Sequence, residues 1–162
     1  MSDLTKDRID YLIHCQKTIT DPPRKEMLLG NGHWRNGMKL QSTDGQHDFS
    51  VFIRKNEDFE ENFSIGLIYL PREVRGDICL LRCNGPHGPH VNFEHHDRAH
   101  IHMADEEALD VGLKAERSAH ITVEYASFWD GLGYFVKKCN IIDAEKYFPA
   151  VSQRSLFLGK GE

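Results

Sequence analysis

The chain is poor in several features that would fix its class. It has four cysteines, Cys15, Cys79, Cys83 and Cys139, and none stands in a C-x-x-C pair. That excludes zinc-ribbon and thioredoxin-type spacings and argues against a secreted disulfide framework. Positive charge is not in excess: 20 Lys and Arg face 25 Asp and Glu, a net charge of −5 with histidine neutral. A general nucleic-acid binder is strongly basic, so any nucleic-acid contact here must rest on a local patch. No apolar run approaches the roughly 20 residues of a membrane span. The opening MSDLTKDRIDYL carries charges where a signal peptide has its apolar core, which predicts a cytoplasmic protein with no membrane partner. Repeats and low-complexity tracts are also missing. What is left is a soluble globular composition, 40% hydrophobic and 28% charged over 162 residues, enough for one core. The expected organisation is one domain over 1–142, with a tail over 143–162 that docks on the domain or on a partner.

Periodicity supplies the elements. Ile9, Leu12, Ile13 and Ile19 form a helical stripe over 3–19, capped by Ser2 or Asp3 and stopped by Asp21-Pro22-Pro23. A loop with Gly30, Gly32 and Gly37 follows, carrying His33, Trp34 and Arg35. GMKLQS, the Asp44-Gly45 turn and HDFSVFIRK read as a hairpin. FSIGLIYL is a third strand, and the near-continuous apolar ICLLRC is a central strand covered on both faces. AHIHMA, a modestly helical acidic segment over 105–116 and the strand AHITVEYA come next. SFWDGLGYFVKKCN is the clearest helix, opened by Ser127 and Asp130 and stopped at Asn140. The order predicts an α+β fold: an antiparallel β-meander sheet of about five or six strands, packed by an N-terminal and a C-terminal helix.

Six of the ten histidines fall in GPHGPHVNFEHHDRAHIH: His87, His90, His95, His96, His100 and His102. Side chains alternate along a strand, so His100 and His102 share a face, with Ala99, Ile101 and Met103 on the other. By the same rule His120, Thr122 and Glu124 share a polar face. If the two strands are neighbours, His100, His102, His120 and Glu124 converge. His90 would join them from a turn punctuated by Gly-Pro, while His87, His95 and His96 read as ordinary surface. Three imidazoles with an open position suit zinc, iron(II) or manganese: His100 and His102 with His90 or His120 as the third ligand, and Glu124 as a fourth ligand or a base. Without a metal, His100, His102 and His120 could serve as acid and base in phosphodiester cleavage, with Arg82 or Arg98 stabilising the anion. The plainer reading is a wet sheet face solvated by imidazoles. His100, His102 and Glu106 also spell the H-x-H-x-x-x-E part of a cupin motif without its glycines. His120 and Thr122 spell one H-x-T, where two-histidine phosphoesterases need two.

LLRCNGPHGPHVN, AHIHM and FVKKCNI together resemble a small uncharacterised bacterial and prophage family. The matching positions are Leu80, Leu81, Arg82, Asn84, Gly85, His90, Asn92, His100, Ile101, His102, Cys139, Asn140 and Ile141, over roughly 38–142. After H-x-H the chain departs from that family's pattern, with MADEEALDVGLK in place of an aromatic Glu-Gly segment. The resemblance implies no activity, only a mobile-element or phage-conflict setting. Two functions stay open: a histidine-based hydrolase acting on RNA or another phosphodiester, and a non-catalytic inhibitor or toxin–antitoxin component whose histidine face meets a protein partner or a structural metal.

Overall fold

The computed structural model describes residues 4–87, 98–110 and 118–151. Helix α1 spans Lys6–His14, and the Thr5 hydroxyl caps it by accepting from Arg8 N at 3.2 Å. Ile9, Leu12 and Ile13 are its buried face. The helix stops five residues short of the expected end, because Cys15 turns extended, with ψ at 144°. Lys17–Asp21 is strand β1, not helix. The sequence Thr18-Ile19-Thr20 is β-branched throughout, and such side chains favour a pleated surface over a helical turn.

The expected loop around residues 30–37 is also strand. Strand β2 (Leu28–Gly30) and strand β3 (His33–Ser42) form a hairpin around Asn31-Gly32. Both turn residues have positive φ, 51° and 76°. That conformation is the two-residue turn whose twist matches a hairpin, and Asn-Gly is its preferred pair. Strand β4 (Asp48–Asn56), strand β5 (Phe63–Leu70), strand β6 (Ile78–Asn84), strand β7 (His100–Met103) and strand β8 (Ser118–Ile121) follow. The sheet order is β1-β3-β4-β5-β6-β7-β8, with β2 beside β1 on the same edge of β3. Every strand pair is antiparallel. The α+β class and the meander are as expected, with eight strands among the described residues rather than five or six.

One sheet face carries Met38, Leu40, Phe49, Val51, Ile53, Ile65, Leu67, Leu81 and Cys83 into the core. Helix α1 and helix α3 (Phe128–Lys138) supply Leu12, Ile13, Phe128, Leu132 and Phe135 to the same core. The Ser127 hydroxyl caps α3 by accepting from Asp130 N at 3.2 Å, and the chain leaves through Asn140, whose φ is 54°. A short helix α2 (Glu106–Asp110) follows β7; the rest of the expected acidic helix lies outside the described residues. The first part of the tail packs on the domain. The Asp143 carboxylate accepts from Ile19 N at 3.0 Å, and Ala144 and Phe148 are buried in the core. Residues 152–162, with Leu156 to Leu158, lie outside the described residues. Among the described residues no helix is long and apolar enough to cross a membrane.

Candidate functional site

Strand register decides which histidines meet. Cys83 lies opposite Ile101 and Leu81 opposite Met103, so those residues face the helices. Asn84 lies opposite His100 and Arg82 opposite His102, which places these four on the other face. That face is not wet here: His100 is 0% exposed and His102 8%. A neutral polar ring so deep needs partners, because desolvating it without them costs about 1–3 kcal/mol.

His100 has them. Its Nδ1 lies 2.7 Å from the Arg98 carbonyl oxygen, so Nδ1 carries the hydrogen and Nε2 a lone pair. The Asn84 amide donates to that Nε2 at 3.2 Å, and the Asn84 oxygen accepts from the Ser64 hydroxyl at 2.6 Å. The Tyr125 hydroxyl sits 2.9 Å from both the Asn84 and the His100 carbonyls, bracing β6 to β7. Burial raises the Tyr125 pKa far above its ordinary value, so it stays a phenol and a donor.

The second imidazole at the site is His87. Its Nε2 stands 3.2 Å from the Nε2 of His100, with ring centroids 4.9 Å apart. Its Nδ1 faces the Asn62 side-chain oxygen at 3.4 Å. The ring of His102 lies edge-on beside that of His100, centroids 5.1 Å apart. His87 is placed by Gly85, whose backbone N donates to Phe63 O at 2.9 Å. A Cβ there would run into the Glu61 carbonyl and the Phe63 ring. No side chain fits, so the chain reaches His87 by one route over Phe63.

Of the expected site, the structure assembles His100, His102 and Arg82 on one face. His120 does not join them. It pairs with Ile101, on the opposite face, and is exposed at the sheet edge. The expectation assumed that two strands with the same polar alternation align those faces, but the register sets Ala119 opposite His102 and Ile121 opposite His100. Glu124 lies beyond the end of β8, exposed, with its backbone N donating to the Thr122 hydroxyl at 3.1 Å. It is not part of this cluster. Glu106 accepts from Lys6 N at 2.7 Å, at the start of α1, which removes the cupin-like set. His90 lies outside the described residues, as do Asn92, His95 and His96. Among the described residues no three His, Cys, Asp or Glu side chains close around one point.

Sequence reasoning set His87 aside as surface and overlooked Ser64, Asn62 and the bracing role of Tyr125. Asn84 was visible as a strand residue two positions from Arg82, and therefore on its face. Residues 4–141 match the model of a family of unknown function (DUF6978), in keeping with the uncharacterised family that the motifs suggest. No curated protein and no solved structure matches the chain.

Proposed function

Because the chain belongs to that family, which brings no activity with it, we propose its function from its own geometry: a histidine-based hydrolase of phosphodiesters whose working pair is His87 and His100. One observation carries this reading. Two imidazoles bring Nε2 within 3.2 Å of Nε2, while each Nδ1 faces a carbonyl or amide oxygen. The Arg98 carbonyl fixes the His100 hydrogen on Nδ1, so the His100 Nε2 is an acceptor that faces the Nε2 of the His87 ring. Such a pair activates water either by taking its proton or by holding a cation that lowers its pKa. In hydrolysis, water oxygen bonds to phosphorus, its proton passes to the site, and the ester P–O bond breaks as the leaving oxygen is protonated.

His87 is half-buried and His100 fully buried, so His87 is the member a substrate reaches. His100 positions it. Arg82, on the same sheet face, supplies the guanidinium suited to a phosphoryl oxygen. The mobile-element setting of the sequence resemblance makes RNA the first substrate to try. The test is turnover of bis(p-nitrophenyl) phosphate and of short RNA by the purified chain. His87→Ala is expected to lower the rate by about 10²–10³-fold. Wild-type rates no higher than buffer on both substrates would defeat the proposal.

A second reading is favoured by a separate surface. An open groove of about 890 Å³ runs beside α3, lined by Val123, Trp129, Tyr134, Val136 and Ile142 among others. Val123 is 97% exposed and Ile142 51%. Exposed apolar side chains gathered along a groove suit a protein partner, as a non-catalytic regulator would need.

A further inference from the structure

We propose that the sheet face turned away from α1 and α3 is a track for single-stranded nucleic acid, with Arg35 and Arg54 holding backbone phosphates and Phe52 stacking on a base. The proposal rests on the hydrolase reading for its direction across the sheet, and it names how a polymeric substrate reaches that site. Strand register builds the face. Met38, Leu40, Val51 and Ile53 are buried toward the helices, so the alternate residues of β3 and β4 point the other way. There Arg35 lies directly opposite Arg54, Arg54 opposite Ser64, Ser64 opposite Asn84 and Asn84 opposite His100. This one cross-strand row runs from two exposed guanidinium groups to the buried imidazole beside His87. Arg54 and His100 are three strand spacings apart, about 14 Å, a span of a few nucleotides.

Charge and shape choose the occupant. Like charges directly opposite one another on a sheet face are unfavourable. A chain with 25 acidic and 20 basic residues nevertheless sets arginine at both positions. Among the described residues neither guanidinium makes an ion pair. The strand carboxylates on this face stand at its other end: Asp21 is opposite Lys39, and Asp48 is held by Arg72 at 2.7 Å. One row along, Phe52 faces Gly66 and Gly66 faces Arg82. A Cβ at Gly66 would collide with the Phe52 ring, so that ring lies down across β5 over the glycine. Phe52 is half-buried, which leaves part of the ring open. Cations beside a flat-lying aromatic ring are what a single strand needs, since they track its phosphates while the ring stacks an unpaired base. A duplex keeps its base faces within its own stack, and an acidic peptide has no planar base to lay on Phe52.

The test titrates the full chain into a fluorescein-labelled, phosphorothioate-linked oligouridine of about twelve nucleotides and reads its anisotropy. That probe keeps the backbone charge and resists cleavage. Micromolar binding is expected at about 50 mM KCl, falling with salt at a log–log slope of about −0.7 per phosphate held. Arg35→Gln with Arg54→Gln is expected to weaken binding at least tenfold and to flatten the slope by about 1.4, the share of two phosphates. Relief of the like-charge pair keeps the thermal stability of that variant at or above wild type. Phe52→Leu keeps an apolar cover on Gly66 and is expected to weaken binding about fivefold or more. Lys25→Gln with Lys137→Gln removes the same charge from the helix side and is expected to weaken binding less than twofold. No binding, an equal loss from that control pair, or no loss from Phe52→Leu would overturn the proposal. Competition by polyglutamate as strong as by unlabelled oligouridine would overturn it too, in favour of an acidic polypeptide. Binding that needs Arg35 and Arg54, without turnover of bis(p-nitrophenyl) phosphate by the chain, leaves the track standing and removes the hydrolase reading. Turnover of that small ester with no oligonucleotide binding does the reverse.

Discussion

Lys17 and His100 are both 0% exposed, and both are polar groups sunk into an otherwise apolar protein. They differ in how their hydrogen bonds are used. The Lys17 ammonium sits where α1 ends and α3 ends. It donates to Ile13 O at 2.7 Å, Cys15 O at 2.8 Å and Cys139 O at 2.9 Å. Three hydrogens meet three carbonyls, two at the end of α1 and one at the end of α3, where the helix dipoles favour a cation. The Phe49 ring lies beneath it, 4.8 Å from the nitrogen. Burial lowers the Lys17 pKa, as desolvation of a charge should. At His100 the donors are likewise placed, but its Nε2 meets the Nε2 of His87. The first cluster closes on itself and is structural. The second leads outward instead, from the buried ring of His100 to the half-buried ring of His87.

The contrast is broken most directly at Lys17. Lys17→Met keeps the volume and removes the charge, leaving two buried carbonyls and one part-buried carbonyl without their donor. At about 1–3 kcal/mol for each group left unsatisfied, partly relieved by relaxation, the expected loss is about 3–5 kcal/mol. Urea denaturation measures it. A loss below about 1 kcal/mol would mean the cluster is not what joins the two helix ends.

Gly85→Ala tests the other side. Its methyl meets the Glu61 carbonyl and the Phe63 ring, so the backbone leading to His87 must shift. Overpacking of this kind costs about 1–3 kcal/mol. The two clusters should then separate by readout. Lys17→Met is expected to lower stability while the folded fraction still turns over phosphodiester at the wild-type rate. Gly85→Ala is expected to lower phosphodiester turnover about tenfold in protein that remains folded. Equal effects on both readouts from both variants would erase the distinction.

Much of this architecture was legible in the chain, and the misses have physical causes. Helix α3 was plain because its stripe, its Ser127 cap and its Asn140 stop agree. At the N-terminus, Ile19 fits a helical stripe from Ile9 as well as it fits a strand. The tertiary contact that decides it, Lys17 pairing with Ser42 in β3, lies 25 residues away. Asn31-Gly32 did announce a hairpin, but Gly30 and Gly37 beside it gave the stretch the look of a loop. Alternation correctly put His100 and His102 on one face. Whether His120 shares that face depends on register between strands, which no single strand records. His87 was out of reach for another reason: its place follows from the contact of Gly85 with Phe63, a packing fact with no sequence period.

A third polar group, His47, gives the smallest effect and a control on both clusters. Its ring stands between Tyr11 and Tyr69, centroids 5.8 and 6.1 Å away, tying α1 to the sheet. Burial, then Arg8, hold its pKa below the usual 6.5, with Asp44 and Asp48 pulling the other way. The unfolded chain therefore binds the His47 proton more tightly than the folded one. Stability from this group is fully present above about 6.5, falls as pH drops from there through the lowered folded value, and then levels. His47→Phe keeps a ring in place and removes the proton. Thermal unfolding of both proteins from pH 8 to pH 5 should show the wild type losing ground to the variant below about pH 6.5. Because the variant retains His87, His100 and Lys17, their acid dependence cancels in the difference. A flat difference curve would mean that partial burial beside two tyrosines does not disfavour the imidazolium. The full burial of His100 would then be a weaker guide to its protonation than the contacts of its two ring nitrogens.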